Sequence, residues 1–182
     1  ENIDTTINNH TNKKGYNQKV TQNCLRQFYS ENMVATFLEK NINNYDCAII
    51  CCTDYYFMNE INLNDINKCI NNNSVVYTTD IWDSFGYTDG FYIGSLNPMI
   101  KILNRYCILK LLLPNKYNYE YILKQSFIIN KINKEITKLM FVKIRSNKKI
   151  SLSKNKPPEG TIPYHYIHKD WINKVSKKIK EF

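Results

Sequence analysis

From about Val20 to Lys40 apolar residues recur at Cys24, Leu25, Phe28, Val34, Phe37 and Leu38. The spacing is close to helical and predicts a helix, with an irregularity around Ser30 to Asn32. Asn41 to Asn44 end it. The pattern then changes. Asp46 to Cys52 is a continuous apolar run of strand length, the form expected of a strand covered by helices on both faces. Leu63 to Ile70 predicts a short helix. Ser74-Val-Val-Tyr-Thr78 and Gly90 to Gly94 predict two strands, separated by a polar, aromatic-studded loop at 79–89. Asn97-Pro98 reads as an N-cap followed by proline in the first helical position, opening a helix that runs to about Leu113, where Pro114 stops it. Tyr119 to Ile132 predicts a further helix and Ile136 to Arg145 a strand. Lys156-Pro-Pro-Glu-Gly160 is a turn. Trp171, Val175 and Ile179 fall four apart, the apolar face of a closing helix with a lysine-rich outer side. Residues 1–17 are polar and form a loop or disordered lead-in, leaving 18–182 as a single domain. Helices alternating with short strands imply an α/β layer fold, a mixed sheet flanked by helices.

At 182 residues the chain is long enough for one substantial core rather than two. A hydrophobic content of 43% and an aromatic content of 13% exclude a wholly disordered protein. No apolar run reaches the length of a membrane span; Cys107 to Leu113 is far too short. The formal net charge of +9 admits nucleic acid, an anionic surface or a phosphorylated small molecule as partner. The lysines are spread along the chain, enriched only at Lys148-Lys149, Lys154 with Lys156, and Lys174 to Lys180, which is also how ordinary solvated faces look. Cys47, Cys51 and Cys52 lie in or beside the apolar run, where cysteine acts as a small hydrophobe. The spacing of the six cysteines contains no repeated CxxC pair, which argues against a zinc site. Reduced thiols fit a cytosol-like compartment. No Gly-rich phosphate loop, HExxH, GxSxG or Walker pattern is present, and no RNA-binding aromatic signature.

The candidate chemistry lies in the carboxylates. Asp54 follows the apolar run, and in open α/β sheets ligands sit outside the carboxyl ends of strands. A carboxylate there suits Mg²⁺ or Mn²⁺, which share oxygen ligands with substrate phosphates; the alternative is a cap on the following turn. Tyr55, Tyr56 and Phe57 either stack on a base or sugar or simply pack. Asp80, Asp83 and Asp89 bring three more carboxylates into one short segment, where an aspartate can serve as a general base if within reach of an acceptor hydroxyl; the alternative for Asp80 and Asp83 is that they are ordinary loop acids. Arg145 could bind a diphosphate bidentately, or be a surface charge. His165 and His168 stand three apart, with only Asp170 as an acidic neighbour. His165 is a candidate phosphate-binding group.

Two segments carry a resemblance. Tyr45-Asp46, with the apolar strand leading to Asp54 and Phe57, is similar to the segment "YD-apolar-RPD-x-x-F" of small GT-A-type glycosyltransferases of giant viruses, algae and bacteria. Thr88-Asp89-Gly-Phe-Tyr-Ile-Gly-Ser95 with Met99 resembles that group's "ND-x-F-A-I-G-S-x-x-x-M" segment. The order of a Tyr119-Glu-Tyr-Ile-Leu123 helix and a strand closing on Arg145 also matches. The likeness covers roughly residues 20–146. Where that group has a basic residue and a proline before the acid, this chain has Cys52 and Thr53. The resemblance implies a GT-A-like (Rossmann-like) domain whose N-terminal nucleotide-binding part would lie upstream of Glu1 or in residues 1–17, whose polar composition suits it poorly. It implies transfer of a sugar from a nucleotide-diphosphate donor to a glycan, protein or lipid acceptor, assisted by Mn²⁺ or Mg²⁺. Asp54 would stand near the metal and donor, and Asp89 on the acceptor side as the base. Such an enzyme is expected in a cytoplasm or, if viral, a virion. A catalytically inactive relative serving as an interaction module and a basic nucleic-acid-binding protein are the rival expectations; the spread of the lysines weighs against nucleic acid.

Overall fold

The computed structural model describes residues 18–80, 86–109, 119–144, 146 and 150–151. The chain opens with a long helix, α1 (Gln18–Lys40), followed by β1 (Cys47–Cys51), β2 (Tyr55–Phe57), α2 (Leu63–Ile70), β3 (Val75–Thr78) and β4 (Phe91–Ser95). Then come α3 (Leu96–Leu103), α4 (Arg105–Ile108), α5 (Tyr119–Ile129), β5 (Asn133–Ile136), β6 (Phe141–Ile144) and β7 (Ile150–Ser151). The result is a mixed α/β fold with an open sheet between helices, compatible with a Rossmann-like layer arrangement.

The main sheet has four strands in the order β1-β4-β3-β5. β4 runs antiparallel to both neighbours, while β3 and β5 are parallel. Every residue of β3 and β4 is buried, as expected of strands covered on both faces. Val76 and Tyr92 face a core shared with Leu96, Met99, Leu103, Leu123 and Phe127. Val75, Tyr77, Phe91 and Ile93 face the other way, toward Cys69, Leu139 and Phe141. A third cluster joins Cys24, Leu25 and Phe28 of α1 to Leu109 and Ile122. A smaller antiparallel sheet, β2-β6-β7, sits beside the second core.

Several expectations need correction. The apolar run at 46–52 is not covered on both faces. It forms the edge strand β1, with Ile49 and Cys51 exposed. α1 has no irregularity at Ser30 to Asn32, because those polar side chains are satisfied without breaking it. Ser30 Oγ donates to the Arg26 carbonyl at 3.0 Å, and Asn32 Nδ2 to Asn104 Oδ1 at 2.6 Å. Asn97 is not the cap of α3, since extended Ser95 precedes a helix already begun at Leu96. That helix ends at Leu103 rather than near Leu113, because Asn104 turns the chain and its side chain is held by Asn32 and, at 3.2 Å, Glu39. The single strand expected at 136–145 is two strands in different sheets. Between them Thr137 N–H donates to the Thr78 carbonyl at 2.9 Å, and Met140 N–H to Asn59 Oδ1 at 2.7 Å. The polar lead-in, Trp82, Asp83, Pro114, the turn near Pro157 and the closing helix around Trp171 lie outside the described residues. No helix among the described residues is long and apolar enough to cross a membrane.

Candidate functional site

The pairing of β1 with β4 decides where the predicted carboxylates go. Their antiparallel register sets Cys51 opposite Phe91, the last residue of one strand against the first of the other. The ladder extends one step further, with Cys52 N–H donating to the Gly90 carbonyl at 2.9 Å. Asp54, just past β1, and Asp89, just before β4, therefore emerge at the same end of the sheet. The Cys52 thiol and the Tyr55 hydroxyl each feel both carboxylates.

The turn Cys52–Tyr55 closes with Tyr55 N–H donating to the Cys52 carbonyl at 3.3 Å. Tyr55, Tyr56 and Phe57 form the strand β2, paired with β6 so that Tyr55 stands opposite Lys143 and Phe57 opposite Phe141. Tyr55 stacks on Phe141 with ring centroids 4.0 Å apart. Burial raises its hydroxyl well above the ordinary tyrosine range, and the hydroxyl donates to the Cys52 sulfur. Burial also pushes the Cys52 thiol up to about 11, helped by Asp89 and opposed by Lys143. At neutral pH it is a protonated thiol and a poor nucleophile.

Asp54 lies on the open side. Lys143 Nζ is 3.5 Å from its Oδ2 and 5.3 Å from the Tyr55 ring centre. The Ile144 N–H donates to the Asp54 carbonyl at 2.7 Å, which ties the turn to β6. An open hollow of about 600 Å³ is lined by Thr53, Asp54, Tyr55, Ile144 and Ser146, a size in the range of small-molecule sites. A second hollow of about 520 Å³, at the far end of β3, is lined by Asn64, Asn67, Lys68, Asn72, Tyr77 and Glu135 among others. It holds none of the carboxylates expected to act.

Asp89 lies on the inner side, partly exposed. Burial raises its carboxyl above the ordinary aspartate range, although Arg105, Lys143, its own backbone and a hydrogen bond from Gln27 pull the other way. Behind it runs a polar chain that the sequence pattern did not disclose. Gln27 Nε2 donates to Glu31 Oε1 at 2.9 Å, and Arg105 Nη2 donates to the same oxygen at 2.7 Å. Arg105 Nη2 also lies 2.6 Å from Glu31 Oε2, and Nη1 donates to the Tyr92 hydroxyl at 3.1 Å. Arg105 is fully buried, with its guanidinium carbon 4.8 Å from the Phe28 ring centre. Burial opposes its charge, but Glu31, Tyr92 and Asp89 outweigh that and hold it above the ordinary arginine value. Burial raises the Glu31 carboxyl too, even against Arg105. One signal could have found this pair. Glu31 falls on the buried stripe of α1, three residues after Phe28 and four before Ala35.

The structure thus sets Asp54 and Asp89 at the same end of the β1/β4 pair, with Asp54 lining the hollow and Asp89 outside its lining; Asp80 follows β3. Arg145, His165 and His168, the other expected phosphate or catalytic groups, lie outside the described residues. Among the described residues no group of three or more His, Cys, Asp or Glu side chains is placed to hold a metal ion. Asp54, the expected ligand, is paired instead with a lysine. Among the described residues, then, these side chains do not fit a site for a divalent cation. Comparison with protein-family models, with curated proteins and with solved structures finds no match.

Proposed function

We propose that the chain is a glycosyltransferase-like enzyme, moving a sugar from a nucleotide-diphosphate donor to an acceptor hydroxyl. The observation that carries this is that Asp89, a partly exposed carboxylate of raised proton affinity, and Asp54, which lines an open hollow, stand at the same end of the β1/β4 pair. Two carboxylates of unequal environment suit unequal roles. The resemblance of residues 20–146 to small GT-A-type enzymes, with Asp54 and Asp89 at matching positions, points the same way.

Asp89 is the acceptor-side group. Its raised pKa makes it a better base than a solvated aspartate, closer to the proton affinity that general-base catalysis favours. In the transfer the acceptor oxygen bonds to the anomeric carbon while its proton passes to Asp89. The bond from that carbon to the donor phosphate breaks, and its electron pair leaves with the nucleoside diphosphate. The transition state is oxocarbenium-like, positive on the sugar ring and increasingly negative on the leaving diphosphate. The Tyr55 ring, fixed on Phe141, lines the hollow beside Asp54.

The test is turnover of UDP- and GDP-sugars, read as release of nucleoside diphosphate with and without candidate acceptor glycans. Asp89→Asn should keep donor binding and lose transfer. Absence of both binding and turnover across the donor set would refute the assignment.

A further inference from the structure

We propose that Lys143 occupies the place expected of a divalent cation, so that the site binds the donor diphosphate through its own ammonium without a metal. The proposal rests on the sugar-nucleotide assignment of this same site.

Three features converge on Lys143. The β2/β6 register puts it directly across from Tyr55 and so brings it to the Asp54 turn, although the two are far apart in the chain. Its Nζ stands 3.5 Å from Asp54 and 5.3 Å from the Tyr55 ring centre, so the ammonium is held between a carboxylate and an aromatic face. Its backbone neighbour Ile144 lines the hollow and is bonded to the Asp54 carbonyl, which fixes the geometry.

The chemistry of the donor set follows. An ammonium offers three donors, and one ion pair at 3.5 Å leaves others for an anion. Lys143 is a quarter exposed and Asp54 over a third, so the pair is weak and open to competition by a more highly charged phosphate group. A divalent cation at Asp54 would face the lysine charge at close range, and among the described residues no group of three or more His, Cys, Asp or Glu side chains is placed to hold it. Lysine is a usual binder of phosphate as a point charge. As the sugar–oxygen bond breaks, the electron pair goes to the leaving diphosphate oxygen, and Lys143 offsets the charge that develops there.

The experiment is calorimetric titration of inorganic pyrophosphate and of UDP, each in EDTA and again in Mn²⁺. Binding in EDTA, weakened about tenfold or more by Lys143→Met and largely kept by Lys143→Arg, is expected; circular dichroism checks that both variants fold. Asp54→Asn, which frees the ammonium, should keep or strengthen binding in EDTA. Binding that requires Mn²⁺, equal binding by wild type and Lys143→Met, loss of binding in Asp54→Asn, or no binding of either probe would each overturn the proposal. Failure of the enzymatic assignment looks different: metal-free pyrophosphate binding through Lys143 in a protein that turns over no sugar nucleotide. Turnover that strictly needs Mn²⁺ would instead keep the enzyme and sink the lysine's role.

Discussion

The hydroxyl end of Tyr55 rests against the backbone of Gly90, so closely that a Cβ on Gly90 would occupy the same space as the phenol. Tyr55 cannot swing clear, since its ring is stacked on Phe141 at 4.0 Å and Phe141 is in turn edge-packed against Phe57 at 6.1 Å. This contact joins the turn bearing Asp54 to the segment bearing Asp89. Gly90→Ala should therefore destabilise the fold by about 1–3 kcal/mol, the usual effect of overpacking a tight core. Tyr55→Ala in the same chain should recover much of that loss. Urea denaturation of the single and double variants measures the coupling. A Gly90→Ala protein as stable as wild type would mean the contact is loose.

Asp89 gives a stability change with a definite sign. Burial is the largest influence on it and raises its folded pKa above the ordinary 3.8. The folded chain then holds this proton more tightly than the unfolded chain does. The group's contribution is complete below about pH 4 and is lost as pH rises through the folded value. Asp89→Asn, which cannot ionise, should melt higher than wild type at pH 7, with the advantage vanishing below about pH 4. Thermal melts at the two pH values decide it. A variant less stable at pH 7 would show that Arg105 and Lys143 outweigh the burial.

Thr137 holds the crossover between the two sheets. Its hydroxyl donates to the buried Asp65 Oδ2 at 2.8 Å, and its N–H to the Thr78 carbonyl. Thr137→Val keeps the shape but strips Asp65 of a donor, so a loss of about 1–3 kcal/mol is expected. Because this crossover leads into the strand bearing Lys143, pyrophosphate affinity should fall as well. Unchanged denaturation midpoints would mean that water replaces the hydroxyl without loss.

The layer class was legible because helical and strand periodicities are local properties. Leu63–Ile70 is a helix, and 74–78 and 90–94 lie within one or two residues of β3 and β4. Burial rank was not legible in the same way. Cys47–Cys51 is the most evenly apolar strand yet lies at the edge, while Phe91–Ser95, with its glycine and serine, is central. Hydrophobicity tells which residues avoid water, not which strand acquires two neighbours. The aromatic run at Tyr55 became a strand only because residues 141–143, far along the chain, pair with it. For the same reason Asp54 and Asp89 could be named from the sequence, whereas Lys143 could not. Its role depends on the pairing partner across the sheet rather than on its own surroundings in the chain.

The ion pair of Glu31 with Arg105 supplies the sharpest mutational contrast. Arg105 has no solvent exposure and Glu31 almost none, so each is the other's main compensation. Arg105→Met should leave a buried carboxyl and destabilise by about 3–5 kcal/mol. Glu31→Gln should be milder, because the amide oxygen can still accept from the guanidinium while Tyr92 holds the other nitrogen. Replacing both, as Glu31→Leu with Arg105→Met, removes two desolvated charges at once and should restore much of the stability, since a buried pair is often no better than apolar residues of similar volume. A double-mutant cycle by denaturant melts tests this. If the double variant is as unstable as Arg105→Met alone, the arginine's packing on Phe28 and its bond to Tyr92, rather than its charge pairing, hold α4 against α1.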